Sequence, residues 1–348
     1  MAPHSLNNKQ RTLLAATEHE SVESLSSPTE HLHAADAVPP MGSTTISSGT
    51  CSFSEDGQRR QDNSDEVDNI IHMLKTSAIG FYGTTPLLAS RAEFFQGGFS
   101  GDIAVVKDSG DDMMELLISG IFQIDRQNFF LGPEGGYTPL SSFKREFLET
   151  KLSCQLIPVQ RDAAFDTARA DFGAIVSNVK ALEKLILSKK GATLVSCVCE
   201  VDGVASIRLS HSLFMRKDEN VDPDTAYHDE SRTLDWPVQE RTKGALERAA
   251  LTHVICPLPA FDQNHESIVP SDYHQKLYGA VVIVHFALVH YYFRQDKKSV
   301  FSGIVREMVV LRNPLPPPTN PLKRSLDGEG PLFTHTPSFK KNRLPPGC

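Results

Sequence analysis

The amino-acid sequence predicts an α+β fold, mainly antiparallel sheet with several helices, spanning residues 64–312. Three observations carry this. Short apolar stretches between residues 80 and 136 are broken by glycine pairs and Asp-rich turns, the texture of successive hairpins. Residues 165–186 carry an apolar stripe at spacings of three and four, the period of a helix. Residues 277–312 hold two long runs dense in Val, Ile and aromatic residues, the composition of central strands.

Taken in order, residues 1–63 are rich in Ser, Thr, Glu, Asp and His with scattered apolar residues, and are expected to be a disordered arm. Ser64 is placed to cap a first helix, followed by Asp65 and Glu66 in its first turn and an apolar stripe of Val67, Ile70, Ile71 and Leu74. Strands are expected at 103–107, 116–124 and 128–131, with Asp125-Arg126 as a turn. Ser141 or Ser142 opens a short helix carrying Phe143, Phe147, Leu148 and Leu152. The stripe Phe165, Ala168, Phe172, Ile175, Val179, Leu182 and Ile186 predicts a long amphipathic helix, stopped by Lys189, Lys190 and Gly191. It is read as a core-facing helix, since three heptads fit that as well as a coiled coil.

Asp202-Gly203 then predicts a hairpin joining strands 193–201 and 204–215. After a polar loop, Pro237 suits the first position of a helix running to about Ala250. A strand at 252–257 leads towards the final pair, 277–293 and 300–312, joined by residues 294–299. Pro314 and Pro316–Pro318 end the fold, and 313–348 is expected to be a disordered, Pro-rich basic tail. The folded span could divide into subdomains 64–160 and 161–312.

Charge bounds the function. The formal net charge is −8, and residues 67–312 contribute 26 basic against 31 acidic residues. A body of that sign does not wrap duplex DNA, so any nucleic-acid contact has to be a local patch. Six scattered cysteines give no disulfide framework. The N-terminus lacks a signal-peptide core, and the most apolar run, residues 279–293, is too short for a bilayer-spanning helix. The expected address is a reducing compartment, nucleus or cytoplasm.

Catalytic motifs are missing: there is no phosphate-cradling loop, nucleophile elbow or paired-histidine zinc helix. Cys197 and Cys199 share a strand face that His211 and Cys154 could join around zinc. A C-x-C spacing is not the usual C-x₂₋₄-C, and buried free cysteines serve as small hydrophobes. His285 and His290 are read as ordinary sheet histidines. The sequence therefore predicts no enzyme, no metal and no cofactor.

Partner signals are clearer. Lys323-Arg324 and Lys340, Lys341 and Arg343 fit a two-part nuclear-import signal bound by an import receptor, or else a solvating tail. In the final strand pair, Tyr292 and Phe301 lie beside Arg294, Lys297, Lys298 and Arg306, the ingredients for stacking bases while steering phosphates.

The same segment carries a resemblance. Pro257, Asp262, Gly279-Ala280 opening a run with Val282 and Val284, then aromatics, a basic turn, Gly303 and Met308-Val309-Val310 resemble the C-terminal part of OB-fold single-stranded-DNA-binding proteins of the bacteriophage type. The resemblance covers residues 254–312. It implies an OB-like barrel and sequence-tolerant binding of single strands across the last hairpin, with Tyr292, Phe301, Lys297 and Lys298 as contacts. The chain departs from that family in its length and in its basic end. The expected function is a nuclear protein that binds single-stranded nucleic acid or assists DNA transactions. The alternative is a non-enzymatic interaction scaffold.

Overall fold

The computed structural model describes residues 55–97, 101–109, 113–139, 146–160, 162–187, 190–201, 203–217 and 231–315, with side chains from residue 64 onward. Both arms beyond this span, with Lys323, Arg324, Lys340, Lys341 and Arg343, lie outside the described residues.

Helix α1 runs Glu55–Thr76, so Ser64 lies within it and does not cap it. Its stripe is as expected: Val67, Ile71 and Leu74 are buried against Tyr82, Ile121, Phe165 and Val281. The missed turns are polar residues that an amphipathic helix tolerates once its far half is anchored. After β1 (Phe81–Tyr82), β2 (Ala92–Phe95) and β3 (Asp102–Val106) form an antiparallel pair. Strand β4 (Leu117–Phe130) is one long strand across Asp125-Arg126, where the sequence suggests a turn. Its register with β5 shifts between Ile124 and Phe129, so the polar pair sits at an irregularity that the chain runs through.

The short helix expected after Ser141 is corrected. Residues 141–145 lie outside the described span; Phe147–Glu149 is a single 3-10 turn, and Leu152 belongs to β5 (Lys151–Ile157). Helix α2 (Asp166–Glu183) matches its stripe, with Ala168, Phe172, Ile175, Val179 and Leu182 buried. It lies on β4, where Phe172 meets Phe122 edge-on at 6.1 Å between ring centres.

Strands β6 (Thr193–Val195), β7 (Val198–Val201), β8 (Val204–Ser212) and β9 (Phe214–Arg216) follow, with β7 and β8 paired as the hairpin predicted. Helix α3 is Glu240–Ala250, three residues later than Pro237 suggests. Strands β10 (His253–Ile255) and β11 (Ala260–Phe261) and a short helix α4 (Tyr273–Leu277) precede the final ribbon. That ribbon is β12 (Val281–Phe293) and β13 (Lys298–Arg312), antiparallel along its whole length.

Five strands make a ring of pairings. β4 pairs with β5, β5 with β8, β8 with β13, β13 with β12, and β12 returns to β4. All of these are antiparallel except β8–β13, which is parallel. The parallel seam is narrow: only Gly303 opposite Leu209 and Ile304 opposite Ser210 are in register. Such a sheet is a partly open barrel, the OB-like architecture. Gly303 sets the seam, because a side chain there would run into Leu209 and stand 3.2 Å from the Arg208 carbonyl oxygen.

The distal half of the ribbon leaves the barrel. There, β3 pairs with β12 at Val289 and His290, and β6 pairs with β13 at Lys298–Val300. The ribbon end is thus the centre of a wider sheet, with β2–β3 on one flank and β6 on the other.

Candidate nucleic-acid interface

Alternation along β12 sorts its aromatic residues onto two faces. Val289, Tyr291 and Phe293 share one face; His290 and Tyr292 share the other with Ser299 and Phe301 opposite them on β13. The two faces are covered unequally. Phe301 is completely buried, its ring 4.9 Å from His290 and 6.1 Å from Phe94. A ring with no exposed surface cannot stack a base, so Phe301 is a core residue and not a contact. Phe293 is 51% exposed, and Tyr291 and Tyr292 are half-buried.

Tyr291 and Phe293 stand side by side, ring centres 6.4 Å apart and planes 29° from parallel. The ammonium group of Lys151 lies 5.4 Å from the centre of the Tyr291 ring. Burial pushes the Tyr291 hydroxyl pKa up, so it stays a neutral hydrogen-bond donor. This pair is the aromatic platform that sequence reasoning missed. Both belong to the aromatic run that precedes the basic turn in the sequence, but only strand alternation with known burial tells them from Phe301.

The cations part company too. Arg294 and Lys297 lie exposed in the four-residue turn, where Lys297 takes a left-handed φ of 48° and its carbonyl accepts the Thr193 amide at 2.8 Å. Lys298 is exposed and 3.6 Å from Asp296, a loose surface pair that leaves it free to turn to another anion. Arg306 lies far down the strand, its Nε donating to both carboxylate oxygens of Glu115 at 2.9 and 3.1 Å. That two-pronged bond ties its charge to Glu115, and the same guanidinium acts on the Tyr291 hydroxyl.

A cleft of about 750 Å³ opens where β12 runs past the start of β3. Gln96, Asp102, Tyr291, Phe293, Arg294 and Gln295 are among its walls. Gly101 shapes its rim: its φ is +87°, and a side chain there would collide with Tyr291 and Val289. Rings, amides, the Arg294 guanidinium and the carboxylates of Asp102 and Asp296 therefore border a common space, with Lys297 and Lys298 close by in the sequence.

Beneath the cleft lies an ordered trio on neighbouring strands. Asp102 Oδ2 is 3.0 Å from His290 Nδ1, and His290 Nε2 is 2.6 Å from Ser299 Oγ. The order matches an acid–base–nucleophile series. However, His290 and Ser299 are each 4% exposed, and Ser299 does not border the cleft. A nucleophile has to meet its substrate, and this hydroxyl is enclosed by the sheet. The trio is a hydrogen-bonded tie between β3, β12 and β13.

The cysteine cluster has the character of core. Cys154 and Cys197 are buried and unpaired, burial pushing the Cys154 thiol up to about 12 and Cys197 also well above its ordinary value. His211 turns its Nε2 to the Cys256 carbonyl at 2.9 Å. No group of three or more His, Cys, Asp or Glu side chains among the described residues is arranged to hold a metal ion. No helix among them is long and apolar enough to cross a membrane.

Strand order and the ring-lined ribbon end together define an OB-like protein with an aromatic-basic edge. No protein-family model matches the chain, and no curated protein matches it in sequence. Among solved structures, gp2.5, a single-stranded DNA binding protein encoded by bacteriophage T7, overlaps 61% of this chain and 96% of its own, at 8% identity and a TM-score of 0.33. The single-stranded DNA-binding protein of bacteriophage Enc34, truncated at its C-terminus, overlaps 64% and 97%, at 11% identity and a TM-score of 0.33. The Enc34 protein in complex with ssDNA overlaps 62% and 92%, at 10% identity and a TM-score of 0.32. TM-scores of this size do not establish a common fold, so the architecture stands on its own strand pairings.

Proposed function

We propose that the chain binds single-stranded nucleic acid at the end of the β12–β13 ribbon, with little dependence on sequence. One observation carries this: Tyr291 and Phe293 present a surface ring pair beside a cleft, next to Arg294 and Lys297 in the adjoining turn and Lys298 at the start of β13. Rings supply stacking that every base accepts, and the cations steer the backbone. The turn joins the fourth and fifth strands of the ring, and the loop at that position is one that OB-like barrels use for oligonucleotides. The acidic total fits a single strand better than a duplex, because a narrow basic edge suffices for the former.

The expected result is that the full chain binds labelled oligo-dT, with affinity falling steeply as salt rises. Reversing Lys297 and Lys298 to Glu is expected to weaken binding at least tenfold at low salt. No binding of the unaltered chain at low ionic strength would remove this reading and leave the interaction scaffold in its place.

A nuclear role in DNA transactions is the setting we propose for this activity, on the basic clusters Lys323-Arg324 and Lys340, Lys341 and Arg343. A fluorescent fusion is expected to lose nuclear enrichment when the last three become Ala. An unchanged distribution would make the tail a solubiliser.

A further inference from the structure

Asp102 is out of place in a surface built to attract phosphate. Its carboxylate has 29% side-chain exposure and borders the cleft together with that of Asp296; it lies on the His290 and Tyr292 face of the sheet, with Tyr291 and Phe293 on the other. A carboxylate repels a phosphate backbone, so whatever enters beside it has to present hydrogen-bond donors. In single-stranded DNA, whose internal sugars carry no hydroxyl, only base edges do so without charge.

The carboxylate is also fixed. Asp102 sits directly opposite His290 in the β3–β12 register. His290 holds Oδ2 through Nδ1 at 3.0 Å and is itself held through Nε2 by Ser299 Oγ at 2.6 Å. Each carboxylate oxygen has two lone-pair positions, so Oδ2 bonded once and Oδ1 still offer acceptors. An acceptor held by a buried histidine needs little reordering when a base arrives, the condition under which a hydrogen bond yields selectivity.

Resting on the reading of this edge as a single-strand site, we propose that Asp102 is a specificity-determining residue, accepting hydrogen bonds from the Watson–Crick edge of a guanine lodged in the cleft. His290 and Ser299 are its positioning residues. Guanine offers two adjacent donors, N1–H and the N2 amino group, that match the two oxygens of one carboxylate. Thymine offers a single N3–H between two carbonyl oxygens, which a carboxylate repels. Cytosine and adenine each set an amino donor beside a ring-nitrogen acceptor and fall between. The result is a modest preference laid over binding that stacking keeps tolerant.

The test uses the full chain and 20-nucleotide DNAs in lithium buffer at low salt, where guanine four-stranded structures do not form. A (dG-dT) repeat is expected to bind about tenfold tighter than oligo-dT. Replacing guanine by inosine, which lacks the N2 amino group, is expected to remove most of that gain with the protein unaltered. Asp102→Asn, confirmed folded by its melting curve, is expected to bind the repeat, its inosine form and oligo-dT with equal affinity. Ser299→Ala, which unpins His290, is expected to narrow the preference without abolishing binding. Equal affinity for the repeat, its inosine form and oligo-dT would overturn this inference and leave single-strand binding standing. Failure to bind any of the three would overturn single-strand binding itself.

Discussion

At the residue scale, two phenylalanines on the same ribbon have opposite fates. Phe301 lies on the covered face against His290 and Phe94, and Phe293 stands half out of the protein beside Tyr291. Phe301→Ala is expected to destabilise the protein by ~3–5 kcal/mol, since it removes a buried ring and leaves a cavity. Phe293→Ala is expected to leave the melting temperature nearly unchanged while weakening oligo-dT binding by about 1–3 kcal/mol, the stacking of one base. Thermal melts and binding titrations on the pair separate the two roles. If Phe301→Ala melts like the unaltered chain, the assignment of faces is wrong. In the sequence both residues sit beside a basic turn and look alike. Their difference lies in strand parity, and reading it requires knowing which face of the sheet is buried. Arg306 is a similar case: only the fold reveals Glu115, 191 positions away, as its partner.

At the element scale, the legible parts are those whose signal is local. Helix α2 declares itself because its burial repeats every three or four residues, and the β7–β8 hairpin because Asp202-Gly203 fits a tight turn. Helix α1 begins earlier than Ser64, and β4 passes through Asp125-Arg126, because packing on one side of an element outweighs a polar pair within it. Gly303 is a case where an element depends on one missing side chain. The parallel β8–β13 seam rests on the two registers beside it, and Gly303→Val is expected to push β13 away from Arg208 and Leu209. The expected cost is roughly 1–3 kcal/mol from overpacking, with faster amide exchange confined to residues 207–211 and 301–305. Exchange that rises evenly over the whole sheet would show that the seam is not a separate element.

At the scale of the whole molecule, the OB-like ring was readable only in its last third. Residues 254–312 carry the resemblance, and they supply β12 and β13, two of its five strands. The other three, β4, β5 and β8, join through pairings such as Ile121 with Ile283 and Cys154 with Leu209, separations over which sequence patterns carry no register. The cleft has the same origin. Asp102 and His290 are 188 positions apart, and neither shows any local sign of the other. What the sequence made plain was the chemistry of one hairpin; what folding adds is its placement beyond the barrel, flanked by β3 and β6, with Asp102 at its side. The proposed function therefore depends on where a single strand touches the chain. Ultraviolet cross-linking of bromouracil-substituted oligo-dT to the full protein, followed by mapping of the adducts, measures this directly. Adducts concentrated on Tyr291, Tyr292 and Phe293 are the predicted result. Adducts confined to residues outside 281–298, with that ribbon end unmodified, would contradict the account.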